Sequence, residues 1–345
     1  LGFLRNIYDY TPRCVIMLST GGGGDVATAL LYARIASSEN TRAVILALPW
    51  ERYVKDPCPG PIELGSFMGV EMLDYTALAR YECLAERCAR IFTPTVCKAA
   101  GLSAATIPVY ILDGWDGELG VRRGIEEVAS IHGCEAILVV DVGGDVLARG
   151  CEEGLWSPLG DSLGLAAAVN TGLDAKLLVQ GLGTDGELSE EELLRIVASL
   201  ARQDALLWNR GITRKELQVL EEITSHIHTE AGRVPVLGFR GYYGEHRIRG
   251  GTRSVNVDIY KTCAVILEAR PVYDLSLPAR LVRNTTSLEE ARQRLNNAGI
   301  YTELDLETDL HELIELGKLS PSKVIEVRRN GRARLPPCKN LTNKR

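Results

Sequence analysis

The chain has 345 residues, nearly half of them hydrophobic, and a net charge of −6. That length can bury a large core in one or two domains, and the acidic balance argues against a dedicated nucleic-acid binder, which needs a positive field to neutralise phosphates. No apolar run approaches the roughly 20 residues that span a bilayer, and the N-terminus lacks the order of a secretory signal, so a cytoplasmic setting is expected.

Residues 14–18 are an apolar run of strand length, 26–36 follow as a helix, and 43–48 read as a second strand. Two strands joined through a helix form a βαβ unit and imply a parallel sheet. The segment Asp56-Pro57-Cys58-Pro59-Gly60-Pro61 is a stiff loop over the same sheet end, since each proline fixes its own φ and restricts its predecessor. Residues 69–98 are ambiguous: 75–91 suits a helix, but 90–94 could equally close a strand. A strand at 107–112, a helix at 118–131 and a strand at 136–140 come next. A helix at 163–169 then leads to a strand at 176–179.

Two capping boxes, Ser189 with Glu192 and Thr213 with Glu216, open helices over 190–208 and 214–228. Residues 234–251 read as a glycine- and arginine-rich loop, and 262–267 as another strand. Helices are expected from Ser287 to 297 and over 309–316, and Asn330-Gly331 has the signature of a two-residue hairpin. The pattern predicts one α/β domain over 1–345, with a core at about 13–270 and a C-terminal extension of helix plus hairpin over 271–345. Its expected form is a Rossmann-like three-layer fold with a mainly parallel central sheet, helices on both faces and a small C-terminal hairpin.

In such sheets ligands bind beyond the carboxyl ends of the strands, and there the sequence repeats glycine next to carboxylate. Gly21-Gly22-Gly23-Gly24-Asp25 follows the first strand, Trp50-Glu51-Arg52 the second, Asp141-Val142-Gly143-Gly144-Asp145 the strand ending at Val140, and Gly183-Thr184-Asp185-Gly186-Glu187 the strand ending at Val179. A single Gly-Asp pair is most often an ordinary turn; several at one sheet edge point to a shared cleft. The first loop places backbone amides at a helix N-terminus, suited to an anion. Gly22-x-Gly24-x-x-Ala27 also fits the dinucleotide fingerprint, with Glu51 near the distance of a ribose-binding acid. Asp25, however, sets a negative charge where a pyrophosphate would lie. That favours a helix cap, or a cation held between carboxylate and phosphate. A Walker A loop is excluded because no Lys-Ser/Thr follows the glycines.

Asp25, Asp141 and Asp145 are the candidate metal ligands and catalytic carboxylates, hard oxygen donors suited to Mg²⁺. Asp161 or Ser162 is read as a helix cap, and Asp185 and Glu187 as partly caps and partly solvated, with a site role as the alternative. Arg240, Arg247, Arg249 and Arg253, interleaved with Tyr242 and Tyr243, could clamp an anion through bidentate contacts. His226 and His228, two apart on a predicted helix, cannot pair on a metal, which leaves His246 as the one histidine considered for acid–base work. Arg328, Arg329, Arg332 and Arg334 read as a solvated hairpin edge. The nine cysteines contain no C-x-x-C and no zinc spacing, so most are expected to be small buried hydrophobes, with pairing of Cys83 or Cys88 with Cys97 left open.

Together with Leu48-Pro49-Trp50-Glu51-Arg52 and the proline loop at 56–61, the glycine–carboxylate motifs resemble the mainly archaeal family called domain of unknown function 1152, over most of residues 13–270. The resemblance implies one domain and an archaeal, intracellular setting. It implies no reaction and no catalytic assignment, and it makes disulfides more plausible if the host is a hyperthermophile.

The leading expectation is an enzyme acting on a phosphorylated or nucleotide-like small metabolite by metal-assisted hydrolysis or transfer. In that reading Gly21, Gly22, Gly23, Gly24, Glu51, Gly143, Gly144, Gly183, Asp185, Arg249 and Arg253 contact ligand or cofactor. The alternatives are an NAD(P)-dependent oxidoreductase and a non-catalytic small-ligand-binding protein. Partners are expected to be a small anionic metabolite, with a homo-oligomer left open, and neither nucleic acid nor membrane.

Overall fold

The computed structural model describes residues 2–103 and 106–338. A short helix α1 (Arg5–Tyr8) leads into β1 (Cys14–Ser19), α2 (Gly23–Ser38) and β2 (Arg42–Ala47). The ambiguous stretch is an antiparallel ribbon of β3 (Phe67–Met72), β4 (Thr76–Arg87) and β5 (Arg90–Phe92), followed by α3 (Thr95–Leu102). Next come β6 (Val109–Leu112), α4 (Gly117–His132), β7 (Ala136–Val142), α5 (Pro158–Asn170), β8 (Asp174–Gln180) and α6 (Glu190–Ala201). After β9 (Leu206–Gly211), α7 (Arg214–His226) and α8 (Val234–Phe239), a hairpin of β10 (Gly244–Ile248) and β11 (Arg253–Val257) precedes β12 (Cys263–Glu268). The remaining helices are α9 (Ala269–Leu275), α10 (Leu277–Val282), α11 (Leu288–Asn297), α12 (Glu303–Glu315) and α13 (Pro321–Ala333).

The main sheet runs β3-β4-β6-β2-β1-β7-β8-β12-β9, with β5 beside β4. Its centre, β6 through β8, is parallel, but β3, β4, β12 and β9 join antiparallel. The sheet is therefore mixed, roughly half antiparallel, and not mainly parallel as expected. The tight turn at 73–75 can return β3 to β4 only antiparallel. On the other side, β12 fills the gap between β8 and β9 in the opposite direction to both. Helices cover both faces. Ile16 and Leu18 of β1 enter the core with α4, α5 and α9–α11, while Val15 and Met17 face α2, α3 and α7. A strand buried on both sides reads as a continuous apolar run, which is why the parallel centre was readable.

Three further expectations are corrected. The predicted helix 190–208 ends at Ala201, the chain turns through Asp204 in the left-handed region (φ 56°), and Leu206–Gly211 pairs with β12. Residues 234–251 are not a loop but α8 and β10. The C-terminal hairpin is instead the helix α13, because Ser320 caps Lys323 N, Pro321 sits at the first turn, and Val324 packs with Tyr301, Leu306 and Leu310. Arg329 is solvent-exposed as expected, but the other three are engaged. Arg328 and Arg332 donate to the Glu153 carbonyl, and Arg334 pairs with Asp309.

The cysteines are not mostly lone hydrophobes either. They form Cys14–Cys134, Cys58–Cys88, Cys83–Cys97 and Cys151–Cys338, and Cys263 is free. The last bridge spans 187 residues, and a disulfide of this kind typically stabilises by about 2–4 kcal/mol through the unfolded chain. Cys151→Ser is expected to lose about that much in urea melts of oxidised protein and nothing after reduction. Equal stability of the two oxidised proteins would contradict the bridge. Among the described residues, no helix is long and apolar enough to cross a membrane.

Candidate metal centre

The chain leaves β1 toward β2 and β6 on one side and β7 toward β8 on the other, so the loops after β1 and β7 diverge and open a crevice at the strands' carboxyl ends. Asp25, in the first turn of α2, spans it. Its Oδ2 accepts from Gly22 N at 3.2 Å and its Oδ1 from Val142 N, at the end of β7 on the other side of the crevice, at 3.1 Å. The cap role and the site role therefore fall on one side chain. Asp141 is the penultimate residue of β7, and Asp161 comes from the first turn of α5. One carboxylate oxygen from each of Asp25, Asp141 and Asp161 lies within 4.8 Å of the others, and the same holds for Asp145, Asp185 and Glu187. Both clusters are buried and line one small chamber with Gly21, Gly22, Arg52 and Arg249. Two buried acidic clusters able to hold a metal ion thus occupy the switch point of the sheet.

The glycines follow from the carboxylates. A Cβ on Gly21 would overlap Asp25 Oδ2 and crowd Asp161, and one on Gly143 would overlap the Asp185 carboxyl group. Gly143 also has φ 116°, a region that favours glycine. Gly143→Ala is expected to displace Asp185 and destabilise the fold by more than about 1 kcal/mol, measured by urea melts. An unchanged midpoint would contradict this packing.

Burial, compounded by mutual repulsion, dominates the electrostatics. It pushes Asp25 up to about 7 against the hydrogen bonds from Gly22 and Val142 and the charge of Arg52. Asp185 rises to about 6, through burial and the charge of Glu187. Asp141, Asp145 and Asp161 lie well above the ordinary carboxylate range, from burial and then from neighbouring acids. Glu187 is the exception. Burial opposes its ionisation, but Arg253 Nη1 at 2.8 Å, Ser157 Oγ, and the amides of Trp156 and Ser157 outweigh it, so its pKa is lowered. Asp141 Oδ2 and Asp185 Oδ2 are buried with no donor reaching them.

The C-terminal helices complete the surroundings. Glu303 of α12 accepts from Leu159 N and Gly160 N, both at 2.9 Å, and so caps α5, the helix that Asp161 was expected to cap. Glu303 also binds Arg52 Nη1 at 3.2 Å, while Arg52 Nη2 donates to Gly21 O and the guanidinium lies 4.5 Å over the Trp50 ring. Glu307 accepts from Trp50 Nε1 and Gly60 N, and burial raises it to about 7. Neither glutamate stands out in the sequence, since both sit in an ordinary amphipathic helix far along the chain.

A cleft of about 390 Å³ opens beside the chamber, lined by Gly22, Gly23, Gly24, Lys55, Thr229 and Arg249 among others, and it shares Gly22, Asp25, Arg52, Val142 and Arg249 with the chamber. Lys55 Nζ reaches the His228 carbonyl at 2.6 Å and Glu51 at 3.5 Å. Glu51 itself holds Thr95 N and Oγ1 at the start of α3. Of the four loop arginines, Arg249 and Arg253 reach the site; Arg240 pairs with Glu221, and Arg247 is exposed on β10. Gly144 meets Leu193, and Gly183 N donates to Gly143 O, so both shape the loops outside the chamber. His246 stacks edge-on with Tyr242 away from the chamber. Asp161 as a cluster member and Lys55 altogether escaped the sequence reading, which gave Glu187 a site role only as an alternative. The position of Lys55 four residues after Glu51 was the available signal.

Fold and site together define an α/β protein with a mixed sheet and a buried carboxylate centre able to bind metal at its switch point. The chain matches the family described as "Protein of unknown function (DUF1152)" over residues 16–311, and it belongs to that family. No curated protein and no solved structure matches it.

Proposed function

We propose that the protein is an enzyme that hydrolyses or transfers a phosphoryl group of a small phosphorylated or nucleotide-like metabolite, with a divalent cation such as Mg²⁺ in the carboxylate chamber. The observation that carries this reading is the shared wall between an acidic chamber and a cleft furnished for an anion. Among the described residues, the amides of Gly23 and Gly24 at the start of α2 donate to no protein acceptor. Lys55 and Arg249 stand beside them, and these four groups bind the phosphate. Asp25, Asp141 and Asp161, with Asp145 adjoining, hold the cation; their donors are all hard oxygen, which suits Mg²⁺ or Mn²⁺ over softer metals. Held there, a cation would supply charge neutralisation and Lewis acidity toward the bound phosphoryl group. Arg52, fixed by Glu303 and Trp50, keeps a positive charge against the acids and orients the glycine turn through Gly21 O.

The dinucleotide alternative has less support, because the acid it needs for the ribose, Glu51, is already bonded to Thr95. Thermal-shift screening against Mg²⁺, inorganic phosphate, nucleotides, sugar phosphates and NAD(P) tests the proposal. A phosphorylated compound at one hundred times its Kd adds about 2.7 kcal/mol of apparent stability. That gain is expected only with Mg²⁺ present, and it is expected to shrink in Lys55→Met. Stabilisation by NAD(P) without metal dependence would sink it.

A further inference from the structure

We infer that the chamber is a two-cation centre, in which Asp25, Asp141 and Asp161 take one divalent cation and Asp145, Asp185 and Glu187 a second. The inference rests on the cation-dependent reading above and adds to it the number of ions and the ligands of each.

The geometry allows one ion in each cluster. Oxygens bound on opposite sides of a cation at about 2.4 Å are about 4.8 Å apart, and within each cluster the ligand oxygens fall inside 4.8 Å of one another. Each cluster also contains one orphaned acceptor. Asp141 is 2% exposed and Asp185 4%, and in each the Oδ2 atom is buried with no donor. An acceptor in that state carries its full desolvation cost, which a proton or a cation can relieve; once the carboxylates are ionised, the partner left to it is a cation. The two orphans belong to different clusters, so a single ion between Asp25, Asp141 and Asp161 would leave Asp185 Oδ2 unrelieved.

Charge gives the same number. Six carboxylates and two guanidiniums, Arg52 and Arg249, line the chamber. Outside the lining, Glu303 on Arg52 and Arg253 on Glu187 offset each other. With all six carboxylates ionised, the excess of four negative charges is that neutralised by two divalent cations.

The sites are unequal. Glu187 already accepts from four donors, so it holds the second ion mainly by charge, and Asp145 and Asp185 supply the free oxygens. The cluster of Asp25, Asp141 and Asp161 therefore fills first.

Titration of the metal-free full chain with Mn²⁺, followed by equilibrium dialysis and electron paramagnetic resonance, tests this. The expected result is two Mn²⁺ per chain, with an isolated-ion spectrum at the first equivalent and an exchange-coupled spectrum at the second. Asp185→Asn is expected to bind one Mn²⁺ with no coupling. Asp161→Asn, which removes a ligand from the other cluster, is expected to do the same and serves if the first variant does not fold. One uncoupled Mn²⁺ in the wild-type chain overturns the two-cation centre and leaves the one-cation reading standing. No bound Mn²⁺ overturns both. Two coupled ions in both variants overturn the ligand assignment.

Discussion

Stripped of divalent cations, the protein is expected to lose stability as pH rises from about 4 to about 7, and to regain it when Mg²⁺ or Mn²⁺ is added at pH 8. The direction follows from the raised carboxyls. Asp25 moves from 3.8 to about 7 and Asp185 from 3.8 to about 6, chiefly by burial, and Asp141, Asp145 and Asp161 move the same way. Because the folded state binds these protons more tightly than the unfolded chain, stability is greatest below the unfolded value, falls as pH climbs toward the folded value, and is flat above it. The shift of Asp25 alone corresponds to on the order of 4 kcal/mol. Glu187, with its lowered pKa, works in the opposite sense and over a lower pH range. Most acid-sensitive proteins behave the other way, losing stability as carboxylates protonate, so the sign is diagnostic. Asp141→Asn removes one buried charge. It is expected to be the more stable protein at pH 8 without metal, by about 1–3 kcal/mol, and to lose most of the response to Mg²⁺. Urea melts at pH 5 and pH 8, with and without metal, read both effects. A metal-free protein that is more stable at pH 8 than at pH 5 would contradict the chamber's electrostatics.

Arg52→Met should cost about 3–5 kcal/mol, the usual penalty for stranding one member of a buried ion pair. The substitution leaves Glu303 without its partner, frees Gly21 O, and removes a positive charge facing Asp161 and Asp145. The loss should be larger at pH 8 than at pH 5, where the facing acids hold protons. Arg52→Lys keeps the charge but cannot make the fork to Glu303 and Gly21 together, nor cover Trp50 with a planar face, so an intermediate loss is expected. An unfolding free energy for Arg52→Met within about 1 kcal/mol of the parent would mean that this pair does not anchor the glycine turn.

The parallel centre was legible because strands buried on both faces announce themselves as apolar runs. The flanks were not, for physical reasons. β9 is half exposed along its length and follows a strong capped helix without a break that composition could mark. β4 carries alternating small and charged residues that fit a helix as well as a ribbon. Asn330-Gly331 has hairpin chemistry, yet Ser320, Pro321 and the packing of Val324 place it in the last turn of α13. Disulfide connectivity cannot be deduced from cysteine positions.

At the site, Asp25, Asp141, Asp145 and Asp185 stood out because glycines and strand ends frame them. Asp161 and Glu187 were visible but had a sufficient ordinary explanation as helix caps. Glu303 and Glu307 reach the site from 251 residues beyond Arg52 and 257 beyond Trp50, a distance at which local pattern carries no information. The arginine cluster was over-read for a related reason: β10 and the turn after it send neighbouring arginines in different directions, so Arg247 and Arg249 do not act together.

The most direct test is anomalous diffraction from crystals equilibrated with Mn²⁺ and inorganic phosphate. The structure predicts a manganese peak within about 2.3 Å of oxygens from Asp25, Asp141 and Asp161, with phosphate in the cleft beside Gly23, Gly24 and Lys55. Manganese bound only outside the chamber, with those three carboxylates unliganded at saturating Mn²⁺, would contradict it.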